Sequence, residues 1–215
     1  MWKLLGALCV GLATLGLVAA SAAAQQSPSG AAQRYHLTVP GIARSPEPTP
    51  TPYVGPIASL DIPSAGVSAR WPVEERGITT VSGRDYLQDP SYPDRIAWYP
   101  QFGRPGFRFA NTVFAAHVNY VGWSLTPFAS LGNVSVDDAV YITMADGTVY
   151  TYSVKTVDVI STADLDMYQV MYPALDNNTE QVTLITCGGD FFIQPGVGGE
   201  YSSRLIVTAT RYIPD

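Results

Sequence analysis

From Ile57 onward, apolar and polar positions alternate in short runs bounded by glycine, proline and aspartate, the signature of half-buried strands separated by turns. "IASLDIP" and "GVSARWPV" predict two short opening strands broken at Pro63. "RIAWY" follows a turn-rich stretch, and "NTVFAAHVNY" reads as a strand running into a loop. "WSLTPFASL" predicts one or two helical turns. In "AVYITMADGTVYTYSVKTVDVI" two alternating runs flank Asp146-Gly147, the dipeptide of a tight hairpin turn, so strands are expected over Ala139–Met144 and Thr148–Val157. "DLDMYQVMYPAL" predicts a short helix, and "QVTLITC" and "RLIVTATRYI" predict the last two strands. Seven or eight short strands without a long amphipathic helix imply a mainly all-β domain, a closed barrel or a sandwich.

The first 56 residues follow other rules. Lys3 is the only charge in residues 1–24, and Leu4 to Ala24 is an uncharged run of about the ~20 residues that span a bilayer as a helix. It ends in Ala22-Ala23-Ala24, which fits the small-residue cleavage site of a signal peptide. Two readings stay open, a cleaved signal peptide and an uncleaved membrane anchor. In both the remainder is exported, either held at the extracytoplasmic face of the membrane or secreted. Residues 25–56 hold seven of the seventeen prolines and contain "SPEPTPTP". Such a segment favours extended polyproline geometry over ladders or helices and reads as a largely disordered, semi-rigid tether. His36 lies in it with nothing to hold it in place. The domain boundary is expected at residue 57, with residues 57–215 forming the folded unit.

Composition narrows the partners. Charged residues make up 14% and the net charge is −6; with no basic stripe, nucleic acid is not an expected partner. The two cysteines, Cys9 and Cys187, fall in different segments, which excludes a disulfide framework. Outside the first segment only His36, His117 and Cys187 are available as soft ligands, too few for a four-ligand zinc site. Asp158, Asp164 and Asp166 read as solvated, and no metal or cofactor is expected.

Cys187 is therefore the residue to explain. It ends the strand-type run "VTLIT" and is followed at once by Gly188-Gly189. A buried structural cysteine is one reading. The other is a nucleophile: an exported domain that keeps one unpaired thiol exposes itself to oxidation unless the thiol is useful, and the glycines let the backbone turn sharply and a substrate chain approach the sulfur. His117, at the end of "TVFAAH", is the single histidine of the domain and titrates in the range that thiol catalysis needs. Arg204, expected to open the final strand at the sheet rim, can donate to an oxyanion or to substrate carbonyls if it faces Cys187. Thr186 can lend a hydroxyl at the same corner or simply serve as a β-branched strand residue, and Asn119 is either an orienting group or a loop residue.

These motifs resemble the sortases, cysteine transpeptidases of bacterial surfaces. "TLITC" matches the family's T-L-x-T-C signature, "FAAHVN" resembles its strand-borne histidine, and "SSRLIVTA" its arginine on the last strand. "LDIPSAGVSARWP" is similar to the opening strands, and "WYPQFGRPG" and "TPFASLGNVSVDDAVYITMADGTVYTYSV" fall in the family's order. The similarity covers about Ile57 to Ile213. "TCGGDF" is closest to class F or E. Two departures stand out: Ala116 precedes the histidine where glycine is common, and the glycine-rich segment after Cys187 leaves the substrate preference open. The resemblance implies an eight-stranded β-barrel with one or two short helices. It also implies a catalytic trio of His117, Cys187 and Arg204, with Thr186, Asn119 and Gly188 as substrate-binding candidates. The substrate would be a surface protein bearing a C-terminal sorting signal, the acceptor an amine of the cell envelope or a pilin, and the enzyme a monomer. A sortase-fold peptidase that mainly hydrolyses and an inactive β-barrel binding domain are the alternatives.

Overall fold

The structure is a computed structural model, and it describes residues 51–194 and 198–213. The expected N-terminal apolar helix and nearly all of the proline-rich tether lie outside the described residues.

Ten strands are present among the described residues: β1 (Ile57–Asp61), β2 (Val73–Glu75), β3 (Ile78–Val81), β4 (Arg84–Leu87), β5 (Ile96–Tyr99), β6 (Asn111–Ala115), β7 (Ala139–Met144), β8 (Val149–Ser161), β9 (Thr179–Gln194) and β10 (Gly198–Tyr212). Eight form one sheet in the order β1-β7-β8-β10-β9-β6-β5-β2. Its edge strands β1 and β2 approach each other, so the sheet curls into a nearly closed barrel and hides most of its edge. The β2–β5 and β6–β9 pairs are parallel and the other pairs antiparallel.

The hairpin expected at Asp146-Gly147 forms. Asp146 Oδ1 accepts from Thr148 N at 2.9 Å, and Gly147 takes a positive φ of 88° that a side chain would resist. Three expectations are revised. "GVSARWPV" yields only an isolated bridge, Ile62 to Val67, and the short β2, because Pro63 starts a 3-10 turn over Pro63–Ala65. The helical turn expected within "WSLTPFASL" falls at Leu131–Asn133, after a series of hydrogen-bonded turns around Pro127. The stretch before "RIAWY" carries an unforeseen hairpin, β3–β4, paired outside the main sheet. Its residues are almost all exposed, so the apolar alternation that reveals a strand is missing there. Chain contacts with the barrel also begin upstream of residue 57: the Val54 carbonyl accepts from Arg104 at 3.0 Å, and Tyr53 packs against the core.

Alternation along β5, β6, β9 and β10 sorts side chains onto two faces. Ile96, Trp98, Phe114, Val182, Leu184, Leu205, Val207 and Ala209 fill the barrel interior. Their sequence neighbours Ala97, Tyr99, Val113, Ile185 and Ile206 form a second cluster on the outer face, covered by Met171 of the helix α1 (Met167–Met171) and by Leu87 at the end of β4. Asp166 caps α1, accepting from Tyr168 N and Gln169 N. Buried Asn111 then ties the helix end to the sheet, its Nδ2 donating to the Val170 and Met171 carbonyls at 2.9 and 3.0 Å while its Oδ1 accepts from Thr183 at 2.7 Å. Next to Gln181 at the start of β9, Glu180 is 1% exposed and accepts from Arg211 Nε at 2.7 Å. The Arg211 guanidinium lies 4.8 Å from the Tyr150 ring centre.

Removing one partner of that pair leaves a buried carboxylate without its cation. Arg211→Met is expected to cost about 3 kcal/mol in urea unfolding, and the double change Arg211→Met with Glu180→Leu to recover most of the loss. An unchanged midpoint in the single variant would show that Glu180 is solvated by other means.

Candidate functional site

Three neighbouring strands carry the chemistry. β6 runs parallel to β9, with Ala115 opposite Ile185, and the ladder continues through the bond from Ala116 N to the Ile185 carbonyl at 3.3 Å. Two residues beyond the last pair of this ladder come His117, in the segment that continues β6, and Cys187 on β9. On the other side β10 runs antiparallel to β9 and pairs Arg204 directly with Cys187. Neighbouring strands lie about 4.8 Å apart, so the histidine, the cysteine and the arginine occupy three adjacent places across the sheet. The same alternation gives their face. Ala116, Thr186 and Leu205 belong to the interior, and Ala115, Ile185 and Ile206 to the outer cluster. His117, Cys187 and Arg204 therefore share the outer face, just beyond the end of that cluster.

Two expectations about strand ends need correction. β6 ends at Ala115, two residues before His117. Cys187 and Arg204 do not sit at strand termini: β9 continues to Gln194 and β10 begins at Gly198. The glycine pair makes a bulge instead of turning the chain away. Gly189 takes a φ of 75°, the register shifts between Tyr201 and Ser203, and Asp190 N donates to Ser202 Oγ at 2.9 Å. A Cβ at position 189 would stand 2.5 Å from Ser202 Oγ, too close for any other residue. Gly188 pairs with Ser203 in the ladder. Beyond the bulge the hairpin projects as an arm with Phe191, Phe192 and Ile193 exposed.

Thr186 is buried, and its hydroxyl donates to the Ala116 carbonyl at 2.8 Å. It points into the barrel, away from the thiol face, and stitches β9 to the residue before His117. Asn119 is exposed, and its Nδ2 donates to the Tyr201 hydroxyl, linking the loop after His117 to the arm. Sequence reading passed over Tyr201, whose ring lies 5.0 Å from Phe191, and Tyr120, whose ring meets the His117 ring edge-on at 5.0 Å. Neither belongs to a periodic run, so only proximity reveals them.

Burial dominates the electrostatics. It pushes the Cys187 thiol up; the Arg204 cation pulls it down, and the Asp89 and Glu200 carboxylates push it further up. It pulls the His117 imidazole down, with the Asp89 carboxylate acting in the other direction. Both groups are thus mainly neutral at pH 7, a thiol beside a base. The Arg204 guanidinium donates to the carbonyls of Tyr201 and Ser203 at 3.3 and 3.0 Å, so it is held on its own strand next to the thiol. Asp158 is exposed on β8, Asp164 accepts from Ser161 at 2.7 Å and Asp166 caps α1.

The charge of Arg204 is expected to show in thiol reactivity. Alkylation of Cys187 by iodoacetamide, followed by peptide mass spectrometry, should be slow at pH 7 and still rising well above pH 8.5, where an ordinary thiol is half ionised. Arg204→Gln should slow it at pH 7 by removing the cation that favours the thiolate, while Arg204→Lys retains most of the rate. Equal rates in all three proteins would remove the arginine from the thiol's environment.

Comparison with known proteins bears on the same residues. The family model described as the sortase domain matches residues 60–212. Comparison with curated proteins finds no match. Among solved structures, a lid mutant of sortase A from Corynebacterium diphtheriae is 25% identical with a TM-score of 0.51, over 74% of this chain and 71% of that one. Sortase A from the same organism is 27% identical with a TM-score of 0.50, over 74% of this chain and 61% of that one. Sortase C-1 from Actinomyces oris shares the fold at 22% identity and a TM-score of 0.52, over 75% of this chain and 77% of that one. These structures carry the names sortase A and sortase C and assign no class to this chain. The family model spans both strands of the thiol corner and the histidine that faces it, and the chain belongs to the sortase family.

Proposed function

We propose that this sortase is a cysteine transpeptidase that cleaves a C-terminal sorting signal of a surface protein and transfers the product to an amine of the cell envelope or of a pilin. The observation that carries the reading is the direct pairing of Cys187 with Arg204 across β9 and β10, with His117 two residues past the end of β6, the strand that runs parallel to β9 on its other side. Membership of the sortase family supports the class of reaction.

The chemistry follows from the resting protonation. With thiol and imidazole both neutral, His117 accepts the Cys187 proton as the sulfur attacks the scissile carbonyl carbon. The carbonyl oxygen becomes an oxyanion, and the Arg204 guanidinium, one strand away, donates hydrogen bonds to it or to the substrate backbone. The His117 imidazolium then gives its proton to the departing amine, the C–N bond breaks, and the acyl group remains on sulfur as a thioester. An acceptor amine attacks the thioester and loses its proton to neutral His117. The amide forms, and the Cys187 sulfur leaves and regains a proton from His117. The uncharged run from Leu4 to Ala24, ending in Ala22-Ala23-Ala24, supports an exported enzyme, held at the outer face of the membrane or secreted where the run is cleaved.

The full chain is expected to form a thioester adduct with a sorting-signal peptide from a library, detected by intact mass. Cys187→Ala should abolish the adduct, and His117→Ala should reduce its rate by at least a hundredfold, the lower range for lost general acid–base catalysis. With an amine acceptor in excess the product should be the amide. Free carboxylate as the main product would instead make the enzyme a hydrolase, and full turnover by Cys187→Ala would overturn the nucleophile.

A further inference from the structure

We propose that Tyr201 is a positioning residue of the active site, which through Asn119 holds the loop that orients the His117 imidazole. The proposal rests on the reading of His117 as the acid and base of transpeptidation.

His117 needs a hold from outside its own strand. β6 ends at Ala115, so the ladder stops two residues short of the imidazole. On the upstream side the chain is fastened. Ala116 N donates to the Ile185 carbonyl at 3.3 Å, the Ala116 carbonyl accepts from the Thr186 hydroxyl at 2.8 Å, and the His117 carbonyl accepts from Phe128 N at 3.2 Å. On the downstream side every residue from Asn119 to Leu125 is exposed. That loop folds on itself through the bond from Trp123 N to the Tyr120 carbonyl at 3.1 Å. Tyr120, one residue past Asn119, sets its ring edge-on against the imidazole with centres 5.0 Å apart, a favourable packing of two rings. Whatever fixes Asn119 therefore also fixes the aromatic neighbour of the histidine.

Tyr201 supplies that hold. Its hydroxyl accepts from Asn119 Nδ2 across 82 positions of sequence, and the tyrosine is itself framed. In the β9–β10 ladder it pairs with Phe191, whose ring centre lies 5.0 Å from its own. The next pair toward the barrel is Ser203 with Gly188, so the bulge at Gly189 falls between Tyr201 and the thiol and sets where the phenol stands. The Tyr201 carbonyl accepts from the Arg204 guanidinium at 3.3 Å. One residue thus meets the histidine loop with its side chain and the arginine beside the thiol with its backbone. Asn119, with its amide nitrogen committed to Tyr201, acts on the loop and not on a substrate. Freeing the loop lets the imidazole leave its line, which costs proton transfer and spares peptide binding.

The test uses the full chain with Tyr201→Phe, which keeps the ring and the backbone bond to Arg204 and removes only the hydroxyl. Turnover is followed with the library peptide that acylates the unaltered enzyme and an amine acceptor in excess. The kcat should fall about fivefold, the size of one lost hydrogen bond between partly exposed groups, with KM unchanged. Asn119→Ala should cause a fall of the same size and the double variant no further fall, because both changes break one link. Tyr212→Phe is the control. It removes a similar bond, from Asn178 Nδ2 at 3.3 Å, at the far end of β10 and should leave kcat as it is. Hydrogen exchange read by mass spectrometry needs no peptide. The amides of residues 118–125, that of Trp123 among them, should exchange faster in Tyr201→Phe and not in Tyr212→Phe. Unchanged exchange in Tyr201→Phe overturns the proposal, as do additive falls or an equal fall in Tyr212→Phe. A rise in KM alone overturns it too and makes Tyr201 a peptide contact. Faster loop exchange in a chain that acylates no peptide supports the hold on the loop and sinks the transpeptidase reading instead.

Discussion

Parallel pairing of β6 with β9 decides where an imidazole stands relative to a thiol, because a ladder transmits position one residue at a time. The pairing runs from Asn111 opposite Gln181 to Ala115 opposite Ile185, and everything at the site follows from its register. A slip of one residue would carry His117 into the barrel and leave Cys187 facing an alanine. The slip is resisted at both ends. Asn111, Gln181 and Thr183 bond to one another at the start of the pair, and the Thr186 hydroxyl closes onto the Ala116 carbonyl at its end. Between them Phe114 and Leu184 are fully buried in the interior. Polar locks and apolar packing thus agree on one register, and the antiparallel β9–β10 pair extends it to Arg204.

The outer cluster has a double role. Ala97, Tyr99, Val113, Ile185, Ile206 and Met171 give the barrel a second packed layer, and that layer stops just short of the polar trio. Burial from it disfavours charge on both Cys187 and His117, which keeps the thiol protonated at rest. The same layer anchors the β3–β4 hairpin through Leu87, so the element that looks peripheral is fastened beside the chemistry. The bulge at Gly189 performs a related service on the other side: it lets β9 pass the thiol without ending, so that the arm with Phe191 and Tyr201 stays hydrogen-bonded to the sheet and connects through Asn119 to the histidine loop.

Much of this was legible in the chain. Apolar alternation located β1, β5, β6, β7 and the cores of β8, β9 and β10, since each buries one face or both against a packed neighbour, and Asp146-Gly147 marked its turn. Exposed or irregular segments were not legible. The β3–β4 hairpin lacks an apolar face, the arm beyond Cys187 is held by backbone pairing across a bulge, and the 3-10 turn at Leu131–Asn133 is too short to leave a period. At the site, Cys187, His117 and Arg204 stood out by residue type, whereas Thr186, picked for its hydroxyl, turned out to face inward because strand alternation leaves it no choice.

The sequence by itself determined the β class, the lone thiol and the residue types able to act on it, because composition, alternation and turn chemistry are local properties. Only the tertiary structure decided that Arg204, 17 positions after Cys187, pairs with it across two strands, and that the strand leading into His117, 70 positions before it, runs beside β9. Register between distant strands is settled by packing and hydrogen bonding across the whole barrel, and no local stretch of the chain carries that information.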